Sequence, residues 1–327
     1  MKMNKAKNIG LSVLLIIQAA LIIYLYLPGR NNAPAAAALF NGLSTETINS
    51  LTITDDSAKS IHLDKTAEHW TVGDNKYPAD TSKIKTIIER IAKLKNSRLV
   101  SRSKGSHSRL KVGEQMFKRK VTMKGSTGKD ITFFLGTSPS SKTIHLRRAG
   151  DDDVYEVSGL TAWQLQAENK SWWQAKYVTV NPADLQSLTI SHDSASTAKG
   201  KGNISLNRDA KGNWQLSGAP AGSKLDEKRI GSLLETVGEI SITDYEDKAF
   251  TPQGQAISTI TYKTKDKSFA LQIWAKKDDK ANSQIIKNSA SKFYAKVSSY
   301  ILKDTLELKQ ADLITKTEPK PEPKPNP

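Results

Sequence analysis

Two stretches of this chain carry one helix pattern. DTSKIKTIIERIAKL begins at Asp80 and DEKRIGSLLETVGEI begins at Asp226. With the aspartates aligned, Ile84, Ile87, Ile88, Ile91 and Leu94 fall on Ile230, Leu233, Leu234, Val237 and Ile240 without a gap. The apolar positions follow each aspartate at +4, +7, +8, +11 and +14, which is one face of an α-helix. An aspartate ahead of such a run is a natural N-cap, because its carboxylate accepts bonds from the free first-turn amides and meets the positive helix end. A helix with one apolar face must bury it against a sheet or another helix. The pattern therefore predicts two copies of one packed module.

The flanking sequence repeats in the same order. INSLTI (48–53) returns as LQSLTI (185–190), and IHLDKTAEHWTV (61–72) as ISLNRDAKGNWQLS (204–217). VTMKGSTGKDITFFLG (121–136) parallels ITYKTKDKSFALQIWA (260–275), and DVYEVS (153–158) parallels KFYAKVS (292–298). Their alternation predicts half-buried strands, two of them joined by polar hairpin turns. Each copy closes on a short segment read as helical, GLTAWQL or SYILKDTLEL. Trp70 and Trp214 take equivalent positions, which favours a core role. The expected class is α+β: an N-terminal transmembrane helix followed by two tandem repeats of an antiparallel-sheet-plus-helix module.

Residues 9–27 hold 19 residues without a charge, twelve of them Leu, Ile or Val. As a helix they span about 28 Å, close to the ~30 Å hydrocarbon core of a bilayer. Their transfer favours insertion by roughly 4–7 kcal/mol before Ser12 and Gln18 subtract. Lys2, Lys5 and Lys7 precede the run, and Arg30 follows. The charge asymmetry predicts a single-pass protein of the cytoplasmic (inner) membrane, with its N-terminus inside and its modules extracytoplasmic. A cleaved signal peptide is the rival reading, with small residues at 35–38. The expected boundaries are a basic tail at 1–8, the anchor at 9–27, a spacer at 28–47, module 1 at 48–170, a packed aromatic crossover at 171–184, module 2 at 185–314 and a disordered Pro-rich tail at 315–327.

Composition narrows the chemistry. The 327 residues include no cysteine, which excludes disulfides, thiolate metal sites and cysteine nucleophiles. None of the five histidines has a partner at metal-ligand spacing, and no nucleophile-elbow or zinc-protease pattern occurs. GDDDV (150–154) reads as a hairpin turn, with a cation site as the alternative; KGKGN (199–203) reads as a loop. No catalytic residue, metal or cofactor is expected. The formal charge is +16. Lys95, Arg98, Arg102, Lys104, Arg109, Lys111, Lys118, Arg119 and Lys120 lie within one short stretch whose only acid is Glu114. Such a segment attracts anions, although a solvated basic loop and strand edge is its commoner meaning. Anionic lipid or envelope polymer is the expected partner class; nucleic acid is set aside on the expected compartment.

The anchor, LTI after a short Ala/Leu segment, the W-T-V and Y-P-A-D elements between 70 and 80, the helix after Asp80, FFLG (133–136), VYEVS (154–158) and the aromatic crossover (172–177) carry a resemblance. Together they resemble an uncharacterised bacterial family with one membrane anchor and a repeated α+β domain of unknown function, over about residues 10–310. The second copy departs from the first: SGAPAGSKLD stands for GDNKYPAD, and no LG follows Trp274. Members of that family are often encoded beside gliding-type ABC transporter components. The resemblance implies an accessory or scaffold protein of an ABC-type transport complex, meeting its subunits as partners, and it supplies no catalytic residues. A binder of anionic envelope polymer or lipid is the alternative, and an envelope hydrolase the remote one.

Overall fold

The structure, a computed structural model, describes residues 5–26, 36–67, 69–125, 130–193, 203–275 and 282–315. The loop at 199–202 and the tail from 316 onward lie outside these residues. In chain order the first elements are α1 (Lys5–Tyr26), β1 (Ile48–Asp55), β2 (Ser60–Thr66), β3 (His69–Val72), β4 (Tyr77–Pro78), α2 (Thr81–Ala92), β5 (Arg98–Ser101) and α3 (Ser106–Leu110). Next come β6 (Arg119–Gly125), β7 (Ile131–Leu135), β8 (Thr143–Arg148), β9 (Val154–Ser158), β10 (Lys176–Thr179), β11 (Leu185–His192), β12 (Ile204–Arg208) and β13 (Trp214–Leu216). The remainder are α4 (Glu227–Gly238), β14 (Glu239–Ser241), β15 (Asp244–Tyr245), β16 (Ser258–Thr264), β17 (Ser268–Ile273), β18 (Ser283–Asn288), β19 (Ala295–Ser298) and α5 (Ser299–Glu307). The chain packs as two compact units, residues 1–59 with 85–166 and residues 60–84 with 167–327.

In unit 1, six antiparallel strands lie in the order β1-β6-β7-β8-β9-β5. Leu51 and Ile53 face Met123 and Val121 across the first pair, and all four are fully buried. Burying each such side chain stabilises by roughly 1.5–3 kcal/mol. Phe133, Leu135, Leu146 and Val157 continue the same core. Leu39 and Phe40 join it from the N-terminal side, Phe40 lying 5.1 Å from Phe133 between ring centres.

In unit 2, eight strands follow the order β13-β12-β11-β16-β17-β18-β19-β15, with β10 and β14 as a separate pair. Strand β3 pairs with β2 and β4. Asp226 caps α4, its Oδ1 accepting the Arg229 amide at 3.0 Å. Ile230, Leu233, Leu234 and Val237 are the buried face of that helix. Tyr262 donates its hydroxyl to Val237 O at 2.9 Å, fastening helix to sheet. The aromatic residues Tyr77, Trp173, Tyr177, Tyr245 and Phe293 form one cluster, in which Tyr77 stacks on Tyr245 at 5.0 Å. Each phenol there donates to a backbone carbonyl: Tyr77 to Glu246, Tyr177 to Phe293 and Tyr245 to Gln174.

Taken separately, the two units use one strand order. β11-β16-β17-β18-β19-β15 follows the same sequence of pairings as β1-β6-β7-β8-β9-β5. The bulge after Ile48 in β1 recurs after Leu185 in β11. Ile190 opposite Ile260 takes the place of Ile53 opposite Val121.

Two expectations are corrected. The chain is mostly antiparallel sheet with few helices rather than α+β, because nineteen strands stand against five α-helices among the described residues. GLTAWQL contributes only a three-residue 3-10 turn, Ala162–Gln164. The transmembrane helix is also overturned: among the described residues no helix is long and apolar enough to cross a membrane. The single-pass placement in the inner membrane, which depended on that helix, is not supported.

Candidate functional site

The nine cations of residues 95–120 lie in unit 1, most of them on the segment that links β5 to β6. That segment is fastened to the sheet in two ways. Gly136 follows β7, and a Cβ there would sit 2.0 Å from the Leu110 carbonyl oxygen. Only a residue without a side chain lets the loop backbone come so close. Arg147 on β8 is the second fastening and is 4% exposed. Its Nε donates to Val112 O at 2.6 Å, its Nη1 to Asp151 O at 3.0 Å and its Nη2 to Glu114 Oε1 at 2.9 Å. These bonds offset the desolvation of a buried guanidinium. Leu110, Val112, Val100 and Phe117 complete a small apolar cluster with Phe134 and Val154.

The nine cations divide by partner. Arg98 pairs with Glu156 at 2.8 Å, Lys118 with Asp56 at 2.6 Å, and Arg102 reaches Asp153 at 3.9 Å. Arg119 donates to the carbonyls of Leu165 and Lys118, both at 2.6 Å. Lys120 lies over the Phe134 ring at 5.7 Å. Lys95, Lys104, Arg109 and Lys111 have no carboxylate within ion-pair distance among the described residues. Lys95, Lys104 and Arg109 are exposed, and Lys111 is half-buried. Lys111 takes the left-handed conformation, φ +55°, where α3 ends.

Beneath this segment runs a polar row. Arg98, Glu156 and His145 stand directly opposite one another across β5, β9 and β8. His145 is buried, with Nδ1 2.8 Å from Thr137 Oγ1. Burial holds its pKa below the ordinary histidine value; Glu156 opposes that shift, and Arg109 and Arg98 reinforce it. The Lys118 hydrogen bond, more than its charge, holds the Asp56 carboxyl below the ordinary value.

One residue that sequence reasoning passed over stands beside the basic segment. Trp163 is 80% exposed on a turn held by Thr161 and Gln164, the Thr161 amide donating to Gln164 Oε1 at 3.0 Å. The apolar letters of GLTAWQL suggest a terminal helix and give no sign that the tryptophan turns outward while Leu160 and Leu165 turn inward.

Unit 2 carries a groove of about 930 Å³ between α4 and α5, with Leu233, Thr236, Tyr300 and Asp304 among its lining. Its carboxylates Asp226 and Asp312 already accept the amides of Arg229 and Lys309. No group of three or more His, Asp or Glu residues able to hold a metal ion occurs among the described residues. GDDDV turns the chain between β8 and β9, where the Asp151 amide donates to Arg148 O.

The family described as Domain of unknown function (DUF4340) matches residues 70–256. No curated protein and no solved structure matches the chain.

Proposed function

The chain belongs to the DUF4340 family, whose match covers more than half of its length, and from that premise we propose a non-catalytic binding protein, an accessory or scaffold component that holds an anionic partner. The observation that carries this reading is the division of the nine cations. Five are engaged by carboxylates, carbonyls or a ring, while Lys104, Arg109 and Lys111 keep uncompensated charge on a segment fixed to the sheet and Lys95 keeps it just ahead of β5. A fixed set of unpaired cations attracts anions without first losing the freedom of a floppy loop. The resemblance to a family encoded beside gliding-type ABC transporter components supports an ABC-type transport complex as the setting.

Retention of the purified chain on an acidic polymer tests the proposal. The wild type should elute at higher salt than a variant with Lys95, Lys104, Arg109 and Lys111 replaced by Glu, and it should lose affinity steeply as salt rises. Equal elution of the two proteins overturns the anion reading. Co-purification from cells in mild detergent, with and without the four substitutions, tests the transport-complex setting. If transporter subunits are never retained by the wild type, that setting fails.

A further inference from the structure

We propose that Trp163 and Arg119 form a subsite for one acidic sugar residue of an anionic polysaccharide, with the indole against the sugar ring and the guanidinium against its carboxylate. This deepens the anion-binding reading above and rests on it.

Three features of the surface support the assignment. First, Trp163 is presented rather than left loose. Its turn is closed by the Thr161–Gln164 bond and, on either side, by Leu160 and Leu165, both fully buried. A flat ring on a rigid turn stacks on a partner with little loss of rotamer freedom. Second, Arg119 is tied to the same turn. Its Nε bond goes to the carbonyl of Leu165, two residues beyond the tryptophan. That bond and the one to Lys118 O orient the guanidinium without neutralising it, since both acceptors are uncharged. No protein bond is made by Nη2 among the described residues. Oriented arginine donors suit a planar carboxylate.

Third, the neighbouring carboxylates select among polyanions. Asp55 lies directly across the strand pair from Arg119, with its Oδ1 accepting the Ser57 and Lys59 amides. Asp56 pairs with Lys118. Carboxylate oxygens beside the cation accept bonds from sugar hydroxyls. The same oxygens repel a single-stranded nucleic acid, which brings a phosphate at every nucleotide and few hydroxyl donors. An acidic polysaccharide surrounds each charge with hydroxyl donors, so the mixed surface fits it better.

The test compares the full chain with Trp163→Ala, Trp163→Phe and Arg119→Gln, using polygalacturonate, polyglutamate of matched charge, neutral dextran and oligothymidylate as probes in affinity electrophoresis at low salt. Because Trp163 is exposed, its variants should keep the wild-type circular dichroism spectrum. The wild type should bind polygalacturonate about tenfold more tightly than polyglutamate. Trp163→Ala and Arg119→Gln should fall to the polyglutamate level, and Trp163→Phe should keep most of the preference. Equal binding of polygalacturonate and polyglutamate by the wild type overturns the subsite and leaves the general anion reading standing. Binding of neither overturns both. Tighter binding of oligothymidylate than of polygalacturonate, or an unchanged Trp163→Ala variant, also overturns the subsite.

Discussion

At the scale of residues, Arg147 and His145 meet burial by opposite means. Arg147 is a buried charge whose donors are met by loop carbonyls and Glu114. Replacing it with Ala removes charge-assisted bonds to Val112 and Asp151 and its packing against Phe134, 4.6 Å away. We expect a loss of about 2–4 kcal/mol in urea unfolding, together with faster proteolysis within residues 102–118. A variant as stable as the wild type would show that the guanidinium does not fasten the loop. His145 is a buried group kept neutral. Its folded-state pKa lies below the unfolded value of about 6.5, so the unfolded chain binds the extra proton first. Stability therefore falls as pH drops from about 6.5 toward the lowered folded value. His145→Gln should flatten that part of the pH–stability curve, and an unchanged slope would assign the dependence to another group. The matching row in unit 2 reverses the charges: Asp244 stands where Arg98 does, Lys296 where Glu156 does, and Ile285 where His145 does. Lys296 makes its ion pair with Glu246, at 3.2 Å, and the row in unit 2 has no titrating imidazole.

At the scale of elements, the paired helices were legible because a 3.6-residue period leaves a signature in the order of letters. Asp80 and Asp226 both cap as their position suggests, accepting the Lys83 and Arg229 amides at 3.0 Å. The fifth apolar position was misplaced. Leu94 lies beyond the end of α2, and Ile240 lies in β14, although both are buried. In the second copy the helix stops at Gly238, where a side chain would meet Val180 O at 2.7 Å. The short strands β5 and β15 were not legible, since four residues and two residues carry too little alternation to register. The docking of residues 110–112 on Gly136 was equally hidden, because a close backbone approach has no periodic trace. The helix faces themselves support a direct test. Ile88→Ala and Leu234→Ala should each cost about 2–5 kcal/mol, and Asp226→Ala about 1 kcal/mol, all read by chemical denaturation. Near-neutral effects at Ile88 and Leu234 would mean that the buried faces are misassigned.

At the scale of the whole molecule, one strand order has been used for two different surfaces. The inner-core positions are conservatively filled, with Ile260 and Leu271 standing where Val121 and Phe133 stand. The opposite face diverges. The register that puts Gly136 after β7 puts Trp274 after β17. Trp274 lies 5.5 Å from Tyr294 and donates its Nε1 at 3.3 Å to Gly254 O, on the segment that links β15 to β16. The cation-rich segment is confined to unit 1, since the link between β15 and β16 carries Lys248 as its one cation. This account makes a demanding prediction for an experimental structure. Superposing β1, β6, β7, β8, β9 and β5 on β11, β16, β17, β18, β19 and β15 should place Met123 on Tyr262, Arg98 on Asp244, Arg147 on Lys287 and Gly136 on Trp274. Side chains in a strand alternate between faces, so a slip of one residue in any pair would send the buried set to the outside. The two bulges, at Ile48 and Leu185, sit where they keep the registers matched. If the best superposition instead needs a one-residue offset, or pairs β1 with a strand other than β11, the two sheets are not copies of one module.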